Sequence, residues 1–353
     1  MKIVMCCTRN WYRYLETELY ALNKYNKVDK IYLFVEDDNI DFLQDKNIEF
    51  INIDKQKEYI KQTSPNYNTQ YSKMSYIRCY FSKILKEDKI LYIDADAIVV
   101  DNIKDLWDTN IKDYAVAGIK EGGEWSRHLG IPDMDDKYIN SGVLLMNLAY
   151  IRENKLDDKM IELLNTNFYH FPDQDVINIV CKDKTKYVSN IYNSTETIGF
   201  IQNAKIIHYI RERKGWIRES PRSEIWFKHY NEMIQKKMER GDIDMVKVEV
   251  IEDFHLARFN ELSNIVRQSG KDEPNKLFRK DIFTCTEDMA KYLTEGNALK
   301  RAFVKVIEVI PVKKEEPKKV EIKEEKQEVK EEKKEITKRL KTTHKSIAKK
   351  KKI

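Results

Sequence analysis

The sequence predicts an α/β fold built around a mostly parallel sheet. Over about the first 210 residues, short apolar segments alternate with amphipathic segments, which is the pattern of repeated βα units. One apolar segment, 89–93, is followed at once by acidic residues, and open α/β sheets bind their ligands at such strand ends. Eight strands are predicted, at 3–7, 30–35, 48–53, 89–93, 114–119, 143–146, 186–188 and 205–208.

Helices are predicted where apolar residues recur three or four positions apart. The segments 15–22 and 74–85 each carry such an apolar stripe. A further helix follows Pro221 and ends before Gly241, because proline suits the first turn of a helix and glycine its end. With these helices beside the strands, we expect a layered α/β domain over residues 1–241.

A small β-rich accessory module is predicted at 242–312, where the pattern changes to short strands and helices. Its predicted elements are 245–251, 258–267, 277–285, 287–293 and 302–310. This length barely suffices for a core of its own. Residues 313–353 contain 17 Lys or Arg and 9 Asp or Glu, with few apolar residues. We therefore predict a disordered, Lys/Glu-rich tail there.

The charge of the chain argues against a nucleic-acid partner. The net charge is +5, but the tail contributes +8, which leaves −3 for residues 1–312. A nucleic-acid-binding domain is expected to carry a basic surface, so we predict no such partner for the folded part. The lysines of 349–352 predict at most a weak contact of the tail with an anionic surface.

The cysteines and the hydropathy indicate a cytoplasmic location, either free or peripheral to the inner face of a membrane. Five cysteines without a Cys-x-x-Cys spacing argue against a disulfide framework and against a zinc ribbon. We therefore expect reduced thiols, as in the cytosol. The N-terminus lacks a long apolar segment and no 18 apolar residues run together, so we predict neither a signal peptide nor a membrane span.

Asp94 and Asp96 form the most informative feature of the sequence. They follow the apolar strand 89–93 and, with one residue between them, point to the same side of an extended backbone. Two carboxylates in this arrangement can bind one hard divalent cation or its water shell. The alternative is that both residues merely form a turn, as isolated Asp-x-Asp pairs often do. The apolar residues on both sides favour the metal site.

Further motifs accompany the acid pair in order along residues 1–220. The set is Cys7-Thr-Arg-Asn-Trp11, Tyr76-Ile-Arg-Cys-Tyr80, Ile93-Asp-Ala-Asp-Ala97, Tyr138-Ile-Asn-Ser-Gly-Val-Leu-Leu-Met-Asn147, Phe171-Pro-Asp-Gln-Asp-Val-Ile-Asn178 and Ile207-His-Tyr-Ile-Arg-Glu-Arg-Lys-Gly-Trp216. Together they resemble glycosyltransferase family 8, which includes bacterial lipopolysaccharide galactosyl- and glucosyltransferases and glycogenin. The resemblance implies a GT-A-type, Rossmann-like mixed sheet flanked by helices. It also implies retaining transfer of a sugar from a nucleotide-activated donor.

The first strand ends in residues suited to a nucleotide. Thr8 and Asn10 can hydrogen-bond a uracil or ribose, and the flat ring of Trp11 can stack on a base. Packing of Trp11 at the start of a helix is the alternative. Arg78 offers a guanidinium for phosphate or sugar hydroxyls, although an isolated arginine more often forms a surface ion pair. Ala95, between the two acids, is assigned to the same nucleotide-sugar site.

A third metal ligand and a basic residue are predicted near the end of the region that resembles the family, residues 1–220. His208 ends the apolar segment 205–208 and is expected at the same sheet edge as the acid pair. Two carboxylates and one imidazole suit Mn²⁺ better than Mg²⁺, and a hydrogen bond from His208 to backbone is the alternative. The resemblance assigns Lys214 to the diphosphate. The family usually has glycine in place of Arg211 and proline in place of Gly215, which leaves the conformation of this loop open.

Three residues are assigned to the donor sugar and its reacting carbon. By resemblance, Asn140 hydrogen-bonds sugar hydroxyls, and a turn before a buried strand is the alternative. Gly142 is expected to let backbone approach a ligand closely. The resemblance places Asp173 and Gln174 beside the anomeric carbon. Glutamine is a poor nucleophile, so we expect Gln174 to stabilise positive charge through its carbonyl oxygen, and Asp173 either to orient hydroxyls or to cap a helix.

We predict a metal-dependent retaining hexosyltransferase that uses a UDP-sugar, with glucose and galactose as the leading donor sugars. The sequence leaves the acceptor open among a saccharide, a lipid-linked saccharide and a protein. Two other functions are alternatives: an inverting sugar transferase or nucleotidyltransferase of the same fold, and a non-catalytic nucleotide-binding adaptor. The sequence does not distinguish which of Asp133, Asp135 and Asp136 reaches the sugar.

Overall fold

The computed structural model describes most of the first 310 residues. The described residues are 1–40, 43, 45–56, 59–121, 125–131, 134–217, 220–243, 245–255, 263–266, 268–271, 276–291, 293–294 and 302–310. The predicted tail, residues 258–262 and 267 of the predicted element 258–267, and residue 292 of the predicted element 287–293 lie outside them. None of the helices in the described part combines the length and apolar character needed to cross a bilayer. All five cysteines belong to the described residues, are buried, and form no disulfide bond.

In the described residues a seven-stranded mixed sheet forms the centre of the N-terminal part. The strands of this region are β1 (Lys2–Cys6), β2 (Lys30–Val35), β3 (Ile48–Asn52), β4 (Lys89–Ile93), β5 (Ala97–Val99), β6 (Val116–Gly118), β7 (Val143–Asn147), β8 (Thr185–Tyr187) and β9 (Ile206–His208). The large sheet has the order β3-β2-β1-β4-β7-β6-β8. In it β7 runs antiparallel to both neighbours and the other pairs are parallel. The predicted α/β fold is confirmed, and all eight predicted strands are present within two residues of their expected bounds.

A separate pair of strands brings two distant segments together. After β4 the chain turns, and the amide of Ala97 donates to the carbonyl of Asp94 at 3.0 Å. Ala97 is also the first residue of β5 (Ala97–Val99), a strand that the sequence does not predict because it is so short. It pairs antiparallel with β9 in the register Ala97↔His208. Backbone pairing alone therefore places His208 beside the acid pair.

Helices pack against both faces of the large sheet. The α-helices of the described residues are α1 (Tyr12–Tyr25), α2 (Lys73–Tyr76), α3 (Phe81–Ile84), α4 (Lys104–Asp108), α5 (Leu148–Glu153), α6 (Leu156–Thr166), α7 (Pro172–Cys181), α8 (Ser223–Arg240) and α9 (Glu287–Lys291). Adjacent strand residues point to opposite faces: Val4 and Tyr92 join a core with α5, α6 and α7, whereas Ile3 and Leu91 join a core with α1 and α4. Burial on both faces requires the nearly continuous apolar strands seen in the sequence.

Two of the three helices predicted from the sequence are present, and the third is divided into shorter segments. α1 and α8 form as predicted, and α8 ends at Gly241, which adopts a left-handed φ of 73°. The segment 74–85 does not form one helix, because a 3₁₀ turn at Ile77–Tyr80 separates α2 from α3. This tighter turn carries Arg78, whose guanidinium is bound by acceptors from several other segments. Tertiary contacts to Arg78 accompany the break in the helix.

The C-terminal described residues form a small sheet with its own buried cluster. Its strands are β10 (Met245–Val250), β11 (Phe254–His255), β12 (Ser263–Val266), β13 (Lys276–Leu277), β14 (Ile282–Thr286) and β15 (Val304–Ile310). Four of them pair in the order β12-β14-β10-β15, and Val248 and Phe283 pack with residues of α9. The predicted element 277–285 is interrupted by a turn, in which Lys280 has a φ of 78° and Asp281 accepts the amide of Phe278 at 3.1 Å.

Candidate active site

The two predicted acids and His208 lie together at the ends of β4 and β9. His208 Nε2 lies 3.6 Å from Asp94 Oδ2 and 3.3 Å from Asp96 Oδ1. One ligand atom from each of the three residues lies within 4.8 Å of the other two. Two carboxylate oxygens and one imidazole nitrogen at this spacing fit a single divalent cation. The side chains present therefore suit the cofactor that the sequence predicts.

The carboxylate of Asp94 is oriented by two buried donors. Its Oδ1 accepts from Arg78 Nη2 at 2.8 Å and from the hydroxyl of Tyr92. Tyr92 is a core residue of β4, and Arg78 is also buried, so packing fixes both donors. The other oxygen of Asp94 is left on the side of His208, where a cation would bind.

The guanidinium of Arg78 is occupied by acceptors of the protein itself. Besides Asp94, it donates to the carbonyls of Ser75 and Ser141 at 3.0 and 2.7 Å, and its Nε lies 3.2 Å from Asp173 Oδ2. Burial disfavours its charge, but the carboxylates of Asp173 and Asp94 outweigh this effect and hold the pKa of Arg78 well above its ordinary value. This geometry favours a role in holding other site residues over the predicted direct contact with phosphate or sugar hydroxyls.

Lys214 neutralises Asp96 inside the site. Its ammonium forms an ion pair with Asp96 Oδ2 and donates to the carbonyl of Tyr209 at 3.1 Å. Burial alone would raise the pKa of Asp96, but Lys214 and His208 outweigh it and hold that pKa well below its usual range. For His208 the balance is reversed: burial lowers its pKa, whereas the carboxylates of Asp96 and Asp94 together raise it above its ordinary value.

Lys214→Met is expected to change metal binding and nucleotide binding in opposite directions. Without the ammonium, Asp96 becomes a buried carboxylate with one counter-charge fewer, so Mn²⁺ alone should bind at least about tenfold more tightly. A diphosphate loses a charged hydrogen bond, so UDP should bind about 10–100-fold more weakly at saturating Mn²⁺. Calorimetric titration with MnCl₂ and then with UDP measures both changes, and Lys214→Arg is the control that keeps the charge. Weaker binding of Mn²⁺ alone to Lys214→Met would contradict this interpretation.

Asp173 and Gln174 lie in the first turn of α7, which begins at Pro172. Asp173 is therefore inside the helix, and the alternative that it is the N-cap is wrong, because Phe171 occupies that position. Asp173 Oδ2 accepts the hydroxyl of Ser141 at 3.1 Å, and Gln174 Oε1 accepts the amide of Ser141 at 2.9 Å. Burial raises the pKa of Asp173 against the opposing charge of Arg78. Gln174 faces the cavity, whereas Asp173 is among the buried residues behind it.

Asn140 and Gly142 form the part of the site next to His208. Asn140 Oδ1 accepts the amide of Gly142 at 2.8 Å, and its side-chain nitrogen donates to the carboxylate of Glu121. The close backbone approach expected at Gly142 is present, but the neighbour is the imidazole of His208. A Cβ at position 142 would lie 2.1 Å from His208 Cε1 and 2.9 Å from Asp94 Oδ2. The positions of His208 and Asp94 therefore require glycine at position 142.

Glu121 and Asn193 belong to the site, although the sequence motifs do not single them out. Glu121 is 5% exposed, lines the cavity and accepts from Thr197 at 3.4 Å. Burial raises the pKa of Glu121, and the hydrogen bond from Asn140 opposes this effect. Asn193 is completely buried, with its Oδ1 3.0 Å from His208 Nδ1. The only feature of the sequence that could have indicated Glu121 is its position just after the predicted strand 114–119. No local feature of the sequence indicates Asn193.

The loop after β9 packs on the predicted nucleotide residues. Lys214 Nζ lies 5.0 Å from the centre of the Trp11 ring. Trp216 contacts Trp11 edge-on with 5.2 Å between ring centres, and it stacks on Tyr14 at 4.2 Å. Arg211 adopts a φ of 57°, a conformation that glycine adopts most easily, which gives a physical reason for the glycine expected there from the resemblance. The loop is thus held by aromatic packing.

A single cavity of about 1180 Å³ joins these groups. The predicted residues that line it are Thr8, Asn10, Trp11, Arg78, Asp94, Ala95, Asp96, Asn140, Gln174, His208 and Lys214. Tyr71 and Trp125 line it as well and lie in none of the sequence motifs, whereas Phe171, which also lines it, is the first residue of one motif. Asp133 lies outside the described residues, and Asp135 and Asp136 are exposed residues away from the cavity wall.

A solved structure shows the same architecture. The crystal structure of galactosyltransferase LgtC, in complex with donor and acceptor sugar analogues, matches with a TM-score of 0.54 at 21% identity. The match covers 65% of this chain and 95% of that chain. At this level of identity the likeness shows the fold, and it confirms the predicted GT-A-type sheet.

The sequence match extends over most of the same region. A model of glycosyl transferase family 8 matches residues 2–220, more than half of the chain, and the chain belongs to this family. Glycosyltransferase GlyA of Streptococcus pneumoniae serotype 4 is 24% identical over 246 residues, which are 65% of this chain and 34% of that protein. Lipopolysaccharide 1,2-glucosyltransferase of Escherichia coli K12 is 27% identical over 168 residues, 41% of this chain and 50% of that protein. The match therefore spans half or less of the length of these two relatives.

Proposed function

We propose that this chain transfers a hexose from a UDP-sugar to an acceptor hydroxyl, with retention of the anomeric configuration and with Mn²⁺ as cofactor. The observation that carries the proposal is the meeting of three metal-ligating side chains, the Lys214 ammonium and Gln174 in one cavity. Membership of family 8 supports sugar transfer. A glucosyltransferase among the relatives and a galactosyltransferase among the solved structures support glucose or galactose as the donor sugar. Mg²⁺ is the alternative cation.

The donor diphosphate would be recognised by positive charge beside the acid pair. Asp94, Asp96 and His208 would hold the cation, which supplies Lewis-acid neutralisation of the departing UDP. Once Asp96 is engaged as a ligand, the Lys214 ammonium is available to donate to a phosphate oxygen. Its side chain is 13% exposed, so this charged hydrogen bond would form largely out of water. The leaving group then needs no separate general acid.

Retention is assigned from the side chains around the reacting carbon. A double displacement requires a nucleophile on the face opposite the leaving group. The two candidate carboxylates are already engaged, Asp173 by Arg78 and Glu121 by Asn140. We therefore assign a front-face route. In it the bond between the anomeric carbon and the leaving phosphate oxygen breaks, the acceptor oxygen bonds to the same face of that carbon, and a leaving phosphate oxygen takes the acceptor proton. The carbonyl oxygen of Gln174 accepts the Ser141 amide with one lone pair, and its second lone pair stabilises the positive charge at the anomeric carbon.

Aromatic side chains support a saccharide as the acceptor, whether free or carried by a lipid or a protein. Trp125 and Phe171 contact each other with 5.5 Å between ring centres, and Tyr71 contacts Phe171 at 6.4 Å. All three line the cavity that contains the predicted donor residues. Flat aromatic rings bind the apolar faces of sugar rings, which favours an uncharged sugar next to the donor.

Donor hydrolysis tests the proposal without knowledge of the acceptor. The purified chain is incubated with Mn²⁺ and UDP-glucose or UDP-galactose, and the released sugar is followed by proton NMR. We expect hydrolysis of at least one donor, with the α-anomer appearing first, and no hydrolysis by His208→Ala. Early release of the β-anomer would indicate an inverting enzyme. A protein that binds UDP but hydrolyses none of a panel of UDP-sugars would be an adaptor.

A further inference from the structure

We propose that Asn193 is a positioning residue that fixes the tautomer of His208 and so directs its Nε2 lone pair at the metal site. The inference rests on the proposed function, because it concerns the same metal centre. Asn193 lies just after a short 3₁₀ turn at Asn190–Tyr192 and is fully buried. It lies in none of the motifs that indicate the site from sequence.

A chain of hydrogen bonds starting at a backbone amide assigns every donor. The amide of Gly142 can only donate, so the Asn140 atom that it contacts at 2.8 Å is the side-chain oxygen. That oxygen is also 2.8 Å from a side-chain atom of Asn193, which must therefore be the amino group. The remaining atom of the Asn193 amide is an oxygen, and it lies 3.0 Å from His208 Nδ1. His208 must carry a proton on Nδ1.

The protonated Nδ1 decides what the other ring nitrogen can do. In the neutral imidazole, a proton on Nδ1 leaves a lone pair on Nε2. Nε2 is the atom that lies 3.3 Å from Asp96 and 3.6 Å from Asp94. The hydrogen bond from Nδ1 also fixes the rotation of the ring and makes the ligand nitrogen more basic.

Backbone hydrogen bonds hold the segment that contains Asn193 next to His208. The amide of Ser194 donates to the carbonyl of Ile206 at 2.9 Å, and the amide of His208 donates to the carbonyl of Ser194 at 3.0 Å. These bonds attach the residue after Asn193 to β9, which ends at His208. The distance between the asparagine oxygen and the imidazole is therefore set by strand-like pairing and not by a mobile side chain.

Two substitutions separate this role from a merely structural one. Asn193→Leu has a similar size and removes the acceptor, and Asn193→Asp keeps an oxygen for Nδ1 while it loses the amino group. We expect Asn193→Leu to weaken Mn²⁺ binding by about 10–100-fold, measured by calorimetry without nucleotide. We expect Asn193→Asp to bind Mn²⁺ at least about tenfold more tightly than Asn193→Leu. Electron spin echo spectroscopy of bound Mn²⁺ should show imidazole nitrogen in the wild type and in Asn193→Asp, and not in Asn193→Leu.

Thermal unfolding of the metal-free proteins supplies the control, since both substitutions remove the hydrogen bond to Asn140. The proposal is overturned if Asn193→Leu is less stable but binds Mn²⁺ with wild-type affinity and an unchanged nitrogen signal. Should Asn193→Leu not fold, Asn193→Ala removes the same acceptor, and loss of the nitrogen signal in Asn193→Asp would equally overturn the proposal. The variant His208→Ala distinguishes failure of the Asn193 proposal from failure of the proposed function. Unchanged Mn²⁺ affinity in that variant would reject the metal site itself.

Discussion

Asp96→Asn is expected to lower Mn²⁺-dependent donor turnover by at least about 1000-fold. The change removes one of the two carboxylates and leaves the Lys214 ammonium and His208 without their nearest counter-charge. A neutral amide binds a hard cation more weakly than a carboxylate does, and the positive charge of Lys214 then repels the cation. Initial rates of UDP-sugar hydrolysis over a range of MnCl₂ concentrations measure the loss.

The pH dependence of stability gives Asp96→Asn a second signature. The pKa of Asp96 is depressed in the folded state, so its charge stabilises the protein above the ordinary pKa of an aspartate, about 3.9. The stabilisation fades as the pH falls through the depressed folded-state value. The variant should therefore be less stable than the wild type at pH 7, and the gap should narrow in acid. Asp101→Asn, an exposed acid just after β5, is the control and should change neither turnover nor stability. Wild-type turnover by Asp96→Asn would reject the metal assignment.

Gly142→Ala is expected to disrupt the metal site through a single methyl group. The added Cβ would lie 2.1 Å from His208 Cε1, 2.6 Å from its Nδ1 and 2.9 Å from Asp94 Oδ2. Neither the imidazole nor the carboxylate can keep its place at such distances. We expect Mn²⁺ affinity to fall by at least about 100-fold, with a loss of about 1–3 kcal/mol in the free energy of unfolding. Calorimetry with MnCl₂ and urea denaturation measure the two effects.

Gly118→Ala is the matched control for Gly142→Ala. Its added Cβ would lie 3.0 Å from Ile139 Cδ1 and 3.1 Å from Leu144 Cδ2, in the core of the same sheet. We expect a smaller loss of stability from overpacking, because the nearest contacted atoms are the ends of two flexible side chains, and unchanged affinity for Mn²⁺. Equal losses of metal affinity in both variants would mean that Gly142→Ala acts through general destabilisation and not through His208.

The sequence predicts the strands and the metal ligands because both leave local signals. An apolar run such as 89–93 marks a buried strand by itself, and a polar residue at its end marks the sheet edge. Asp94 and Asp96 are recognised in this way. The sequence resemblance adds His208, which the structure then places 3.3 Å from Asp96. The mixed sheet flanked by helices also agrees with the GT-A-type fold that the resemblance implies.

The contacts that determine the roles of individual side chains leave no such signal. Arg78 has the residue type of a phosphate ligand, but which acceptors lie nearest depends on how separate segments pack, and here they are carboxylates and carbonyls of the protein. The same is true of Asn140, which supports Gly142. Glu121 and Asn193 reach the site through buried contacts alone. The sequence therefore shows which functional groups are present at these positions, but it does not show which hydrogen-bond partners they have.

An anomalous difference map of crystals grown with MnCl₂ and UDP, recorded at the manganese absorption edge, tests the central claim most directly. We expect one strong peak about 2.0–2.3 Å from Asp94 Oδ2, Asp96 Oδ1 and His208 Nε2, with diphosphate oxygens completing the coordination. A peak bound elsewhere, or UDP bound in the cavity with no manganese between the two acids and the imidazole, would contradict the account.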